Sequence, residues 1–139
     1  MGYTDTFIIV AEDCAAETGV VPPERGGRPT VARIQHALLT AAPYTYTQED
    51  VLFETEVRHK AVPDEELAVR RDSLREEFFT KPRACLRASP LPRSYGWGLH
   101  FDDAGKVALY GVDSPEYQRF AAGEHTEVTV LKAMRSRRR

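Results

Sequence analysis

The stretch SYGWGLHF at residues 94–101, followed by DDAG and then KVALYGV at residues 106–112, constrains this chain more than any other part. Large apolar residues alternate with glycine and histidine, which is the period of two of a strand with unlike faces. A second β-branched and aromatic run follows four turn-forming residues, and Gly105 supplies the left-handed backbone that a short hairpin needs. The pattern predicts an antiparallel hairpin of residues 94–101 and 106–112. Tyr95, Trp97, Leu99 and Phe101 then share a bulky face, and Gly96, Gly98 and His100 an almost bare one. With a three-residue loop, Asp103-Ala104-Gly105, Tyr110 lies across from Gly98 and fills part of the bare face; a two-residue loop puts Leu109 near His100 instead. Core packing is the simplest role for a largely buried Trp97, whose truncation to alanine then costs roughly 3–5 kcal/mol.

The rest of the chain supplies helices and two more strands. DTFIIVA at residues 5–11 reads as a buried strand, and the Pro- and Gly-containing stretch at 12–29 as a structured loop. Val31, Ile34, Leu38 and Ala41 form one apolar helical stripe that Pro43 stops. Residues 48–59 carry two signals: Thr47 and Asp50 read as a capping box opening a helix, while Val51, Phe53, Thr55 and Val57 alternate as in a strand, and the capping signal favours helix. Pro63 opens a helix with Asp64, Glu65 and Glu66 in its first turn and Leu67, Leu74 and Phe78 on one face, ending before Pro82. Ser114-Pro115-Glu116 starts a short helix that Gly123 ends, and TEVTVLKAM closes the fold as a strand. The sum is one α+β domain over residues 1–134, with a mostly antiparallel sheet and two to four helices, followed by a basic frayed tail at 135–139 whose removal leaves the melting temperature unchanged.

Composition narrows the function classes. A chain of 139 residues with 42% hydrophobic and 29% charged residues can bury one core, and its formal net charge is −2. No apolar run reaches the length of a membrane span, and MGYTDTFIIVAEDC lacks the basic region and long apolar stretch of an export signal. Cys14 and Cys85 stand far apart without a CxxC partner, which fits a reducing compartment, so the cytoplasm is the expected location. His36, His59, His100 and His125 show no metal-ligand spacing, and no cofactor fingerprint occurs, so neither a metal nor a cofactor is expected. Asp102 and Asp103 read as turn chemistry, and Ser89 and Ser114 lack a nucleophile elbow.

Cations and glycines suggest where a site would be. Arg87 and Arg93 flank ASPLP, whose prolines stiffen the backbone, and two guanidiniums so held can grip a carboxylate or phosphate. The competing reading pairs them with the acidic helix at 64–77. Arg25 and Arg28 surround a glycine pair ahead of the first helix, whose open amides favour an anion. The leading reading is a small anionic ligand, with no membrane partner, in a cleft lined by Arg25, Arg28, Arg87, Arg93, Gly96, Gly98, His100 and Tyr110. A second reading is an enzyme with Cys85 or His100 as its reactive group. Arg83 and Arg87 flank Cys85, whereas Glu12 and Asp13 oppose ionisation of Cys14; an inert core thiol is the plainer reading of Cys85. A third is a nucleic-acid or protein-interaction module using the tail KAMRSRRR, against which the slightly acidic chain argues for a solvated terminus.

The motifs YTDTFI, VPP with PTVA after it, DVLF, FFTKPRACLRASPL, YGWGLHFD, VALYGVDSPEY and LKAMRS together resemble a family of short proteins, common in bacteria and present in fungi, known as a domain of unknown function. The resemblance spans nearly the whole chain. It implies a self-contained domain whose identity lies in the ACLRASPL…YGWG.HFD block, and it implies no activity.

Overall fold

Phe7 and Ile8 are both fully buried in the four-residue strand β1 (Thr6–Ile9), as a strand covered on both faces requires. The computed structural model describes residues 2–136. β1 pairs antiparallel with β2 (Trp97–Phe101), β2 pairs antiparallel with β3 (Val107–Gly111), and the other edge of β1 takes β4 (Thr129–Lys132) in parallel. The sheet order is β3-β2-β1-β4. Two of the three pairings are antiparallel, so the α+β class and the mostly antiparallel sheet hold. The parallel pair is an addition, because a four-residue strand carries no signal for its direction.

Local chemistry accounts for the helices. α1 (Val31–Ala41) starts at Thr30, whose side chain accepts from the Arg33 amide. α2 (Gln48–His59) has a reciprocal capping box: the Asp50 amide donates to Thr47 Oγ1 at 3.3 Å, and the Thr47 amide to Asp50 Oδ2 at 3.0 Å. Two satisfied amides decide the ambiguous segment for helix. The strand-like alternation at Val51, Phe53 and Val57 arises because α2 is covered on two sides, Val51 facing the main core and Phe53 and Val57 a smaller cluster with Phe78. That cluster seats α3 (Asp64–Phe78), in which Phe78 is the one buried residue.

The segment before β2 differs from its expected form. Leu86–Ala88 makes a single 3-10 turn, and Pro90–Ser94 forms a short helix, α4, capped by Ser89 with Pro90 in its first turn, where proline loses no hydrogen bond. Residues 94–96 therefore leave the hairpin, and Gly96 bends the chain into β2 at φ +78°. The hairpin itself forms with the three-residue loop: Asp102 N donates to Lys106 O at 2.9 Å, and Gly98 stands opposite Tyr110. With α5 (Pro115–Ala121) the helices among the described residues reach five, α4 being the one beyond expectation. α1, α2 and α4 cover one face of the sheet, with Leu39, Val51 and Leu91 against Leu99 and Phe101. α5 covers the other with Tyr117 and Phe120 against Phe7.

Trp97 is only half-buried. Its indole Nε1 donates to the Val20 carbonyl at 2.8 Å, and its ring lies against Gly19. It pins the loop of residues 12–29 at the rim instead of filling the centre, so the loss expected of a core ring does not apply. The tail also differs from its frayed expectation: Arg135 pairs with Glu12, and the Ser136 amide donates to Asp13 at 3.0 Å. Residues 137–139 lie outside the described residues. Among the described residues no helix is long and apolar enough to cross a membrane.

Candidate functional site

The glycine face of β2 is occupied by the protein itself. A Cβ on Gly98 would lie 2.4 Å from Phe7 Cζ and 2.7 Å from Tyr117, so the close approach that the glycine signals is made by two rings. Tyr110 goes elsewhere: its hydroxyl meets Tyr44 Oη at 2.7 Å, and Tyr44 Oη meets His100 Nδ1 at 2.8 Å. The His100 ring stacks on Phe120 at 4.3 Å, and Phe120 on His125 at 4.4 Å. Burial lowers the His100 pKa, against the opposing pull of Asp102; burial and the Tyr110 hydrogen bond raise that of Tyr44. His100 and Tyr110 are thus brought together through Tyr44, which the sequence reading missed. Only its place after Pro43, at a left-handed φ of 55°, marks it as unusual.

A pH dependence follows. An unfolded histidine titrates near 6.5, and folded His100 lies below that. The unfolded chain therefore binds the proton more readily. The stability contributed by neutral His100 is complete above about pH 6.5 and is lost as pH falls through the folded value. His100→Gln is expected to flatten the fall of unfolding free energy on acidification below pH 6.5, measured by denaturant titration. Some slope persists, since burial lowers His36 as well. Equal slopes in the variant and the parent protein would contradict this reading.

The arginines expected in one cleft with His100 are spread over the molecule. Arg87 Nε donates to the Lys132 carbonyl at 2.9 Å. Arg93 spans the Ala88 and Arg135 carbonyls at 3.4 Å each, with its buried Nε unpartnered among the described residues. Both guanidiniums thus contact backbone carbonyls around the end of β4, Arg87 reaching the Tyr3 hydroxyl as well, and among the described residues neither pairs with an acidic residue of α3. Arg25 and Arg28 exchange two 3.1 Å backbone hydrogen bonds around Gly26 and Gly27 at φ 60° and 73°, forming a tight exposed turn ahead of α1. Gly96 is closed by the Thr18 carbonyl, 2.2 Å from where its Cβ would stand. Cys85 is half-buried with Sγ 3.3 Å from Tyr3 Oη, and Cys14 is half-buried and unpaired. No group of three or more histidine, cysteine or acidic side chains able to hold a metal occurs among the described residues.

The concave site lies instead between α2 and α3. A groove of about 330 Å³ has Phe53, Val57, Val62, Leu74 and Phe78 as its floor and Lys60, Lys81 and Arg83 among its charged rim. Phe53 and Phe78 meet edge to face at 6.0 Å, and the Arg83 guanidinium lies 3.9 Å from the Phe78 ring centroid. Arg83 Nε donates to the Phe78 carbonyl at 2.9 Å, which orients the guanidinium along the rim. Lys60 is neutralised by Glu56 at 2.7 Å. The remaining rim sets one carboxylate, Glu77, against Lys81 and Arg83. The sequence reading placed Arg83 only beside Cys85; the available signal was the cationic TKPR run directly after an amphipathic helix.

Comparison with known proteins finds no match among curated proteins and none among solved structures. A family model matches residues 1–139, in agreement with the resemblance to a family of short proteins of unknown function, and the chain belongs to DUF6157, a family of unknown function.

Proposed function

We propose that this protein binds a small amphipathic organic anion in the groove between α2 and α3. The observation that carries the reading is an apolar floor joined to two rim cations, Lys81 and Arg83, with no ion pair to either among the described residues. The volume sits at the lower end of ligand pockets, which run roughly 300–1,000 Å³. An apolar body desolvated on the Phe53 and Phe78 rings and a carboxylate or phosphate head at Arg83 would use both parts. Stacking on Phe78 holds the guanidinium in place before any ligand arrives, which lowers the ordering cost of binding. The two unpaired cysteines support a reducing, cytoplasmic setting for this activity.

The test uses anilinonaphthalene sulfonate as a fluorescent probe, displaced by decanoate or by decanol. Decanoate is expected to compete far better than the uncharged alcohol. Replacing both Lys81 and Arg83 with alanine should erase that preference, a loss of about 1.5–3 kcal/mol or roughly ten- to hundredfold in Kd. Amide shifts confined to α2 and α3 would locate the probe. Equal competition by alcohol and acid, or an unchanged preference in the double variant, would remove the proposal.

A further inference from the structure

The charges on the groove between α2 and α3 are of both signs. Glu56 and Lys60 neutralise one another at 2.7 Å, and this leaves Glu77, Lys81 and Arg83, none of which has an ion pair among the described residues. All three come from one stretch of chain. Where α3 ends, Thr80 donates to the Glu77 carbonyl through its amide at 3.2 Å and its hydroxyl at 2.6 Å, and Arg83 Nε reaches back to the Phe78 carbonyl at 2.9 Å. The turn so held keeps Lys81 and Arg83 on the groove that Glu77 also lines. Glu77 stands in the last turn of a 15-residue helix, whose C-terminal end carries partial negative charge and favours a cation. The floor beneath is apolar and aromatic, with Phe53 1% and Phe78 9% exposed. A ligand that is only an anion leaves Glu77 without a counter-charge and adds a second negative charge to the same rim. One that also carries an ammonium removes that repulsion and gives Glu77 a partner.

We propose that the ligand of this groove is a free α-amino acid with a large apolar side chain. Its carboxylate meets Lys81 and Arg83, its ammonium meets Glu77, and its side chain lies on the Phe53 and Phe78 rings. This assignment rests on the anion reading of the groove and adds the second charge to the head group. A free amino acid holds both charges on one carbon. The end residue of a peptide keeps only one of them, so a peptide terminus fills half the rim.

The test displaces anilinonaphthalene sulfonate from the intact protein with four competitors of one body: L-phenylalanine, 3-phenylpropanoate without the ammonium, phenethylamine without the carboxylate, and 3-phenylpropanol with neither. Phenylalanine is expected to compete best, about fivefold better than 3-phenylpropanoate, the scale of one partly solvated ion pair. Glu77→Gln should remove that margin and leave 3-phenylpropanoate at least as strong as before. The Glu77 side chain makes no hydrogen bond or ion pair among the described residues, so the variant keeps the fold. Amide shifts at residues 77–83 on adding phenylalanine would place the head group. If 3-phenylpropanoate outcompetes the alcohol but phenylalanine gains nothing over it, the amino-acid assignment falls and the anion reading stands. If acid and alcohol compete equally, both fall. A phenylalanine margin that survives Glu77→Gln would also overturn the assignment, since the ammonium would then be held elsewhere.

Discussion

Phe7→Ala is expected to lower the unfolding free energy by roughly 3–5 kcal/mol, the scale for deleting a fully buried aromatic ring. Phe7 is 0% exposed, stacks on Phe120 at 4.7 Å and meets Tyr117 edge-on at 5.2 Å, so its removal opens the layer between the sheet and α5. The same ring fills the space over Gly98, where a Cβ would lie 2.4 Å from Phe7 Cζ. Gly98→Ala alone should therefore cost about 1–3 kcal/mol by overpacking. In the double variant the alanine at 98 meets a vacated ring, and the two losses should sum to more than the loss observed. Denaturant titration of the four proteins measures this coupling. Strict additivity would mean that Phe7 does not occupy the glycine face.

Gly96→Ala is expected to be comparably damaging for a different reason. Gly96 sits at φ +78° between α4 and β2, and an added Cβ would stand 2.2 Å from the Thr18 carbonyl oxygen. Left-handed strain costs about 1–2 kcal/mol, and the clash with backbone adds overpacking of about 1–3 kcal/mol, roughly 2–5 kcal/mol in all. Gly27→Ala separates the two contributions. Its φ is +73° but nothing lies within 4 Å of its Cβ position, so it should show the strain alone. Melting curves of the two variants that coincide would show that the Thr18 loop gives way freely. The same contact fixes the loop that Trp97 holds through the Val20 carbonyl, so Gly96→Ala should also shift the Trp97 fluorescence.

Much of the candidate chemistry was visible in the sequence as residue types but not as places. Arg87 and Arg93 were recognisable as cations on a stiff turn, yet besides Arg93's contact with the Ala88 carbonyl inside the turn they reach the Lys132 and Arg135 carbonyls, some 40 residues later in the chain. Nothing within the turn could reveal those distant partners. His100 and Tyr110 belong to one strand pair, but Tyr44, which joins them, comes from the α1–α2 connection. The groove was hidden because its floor combines residues of α2 with residues of α3, and each helix alone reads as ordinary amphipathic packing.

The sequence by itself determined the features governed by near neighbours. These are the capping box of Thr47 and Asp50, the Gly105 hairpin with Tyr110 opposite Gly98 as one of its two registers, and the short proline-led helix of residues 115–121. Backbone conformation and amide satisfaction set these within a few residues, so the pattern is legible locally. The tertiary structure alone decided that β4 runs parallel to β1, that Phe7 and Tyr117 fill the glycine face, and that α3 rests on Phe53 and Val57 to leave a cation-rimmed groove. Those outcomes depend on which apolar surfaces meet. Burial is proportional to area and carries no direction along the chain, so only the assembled core selects among partners of equal hydrophobicity.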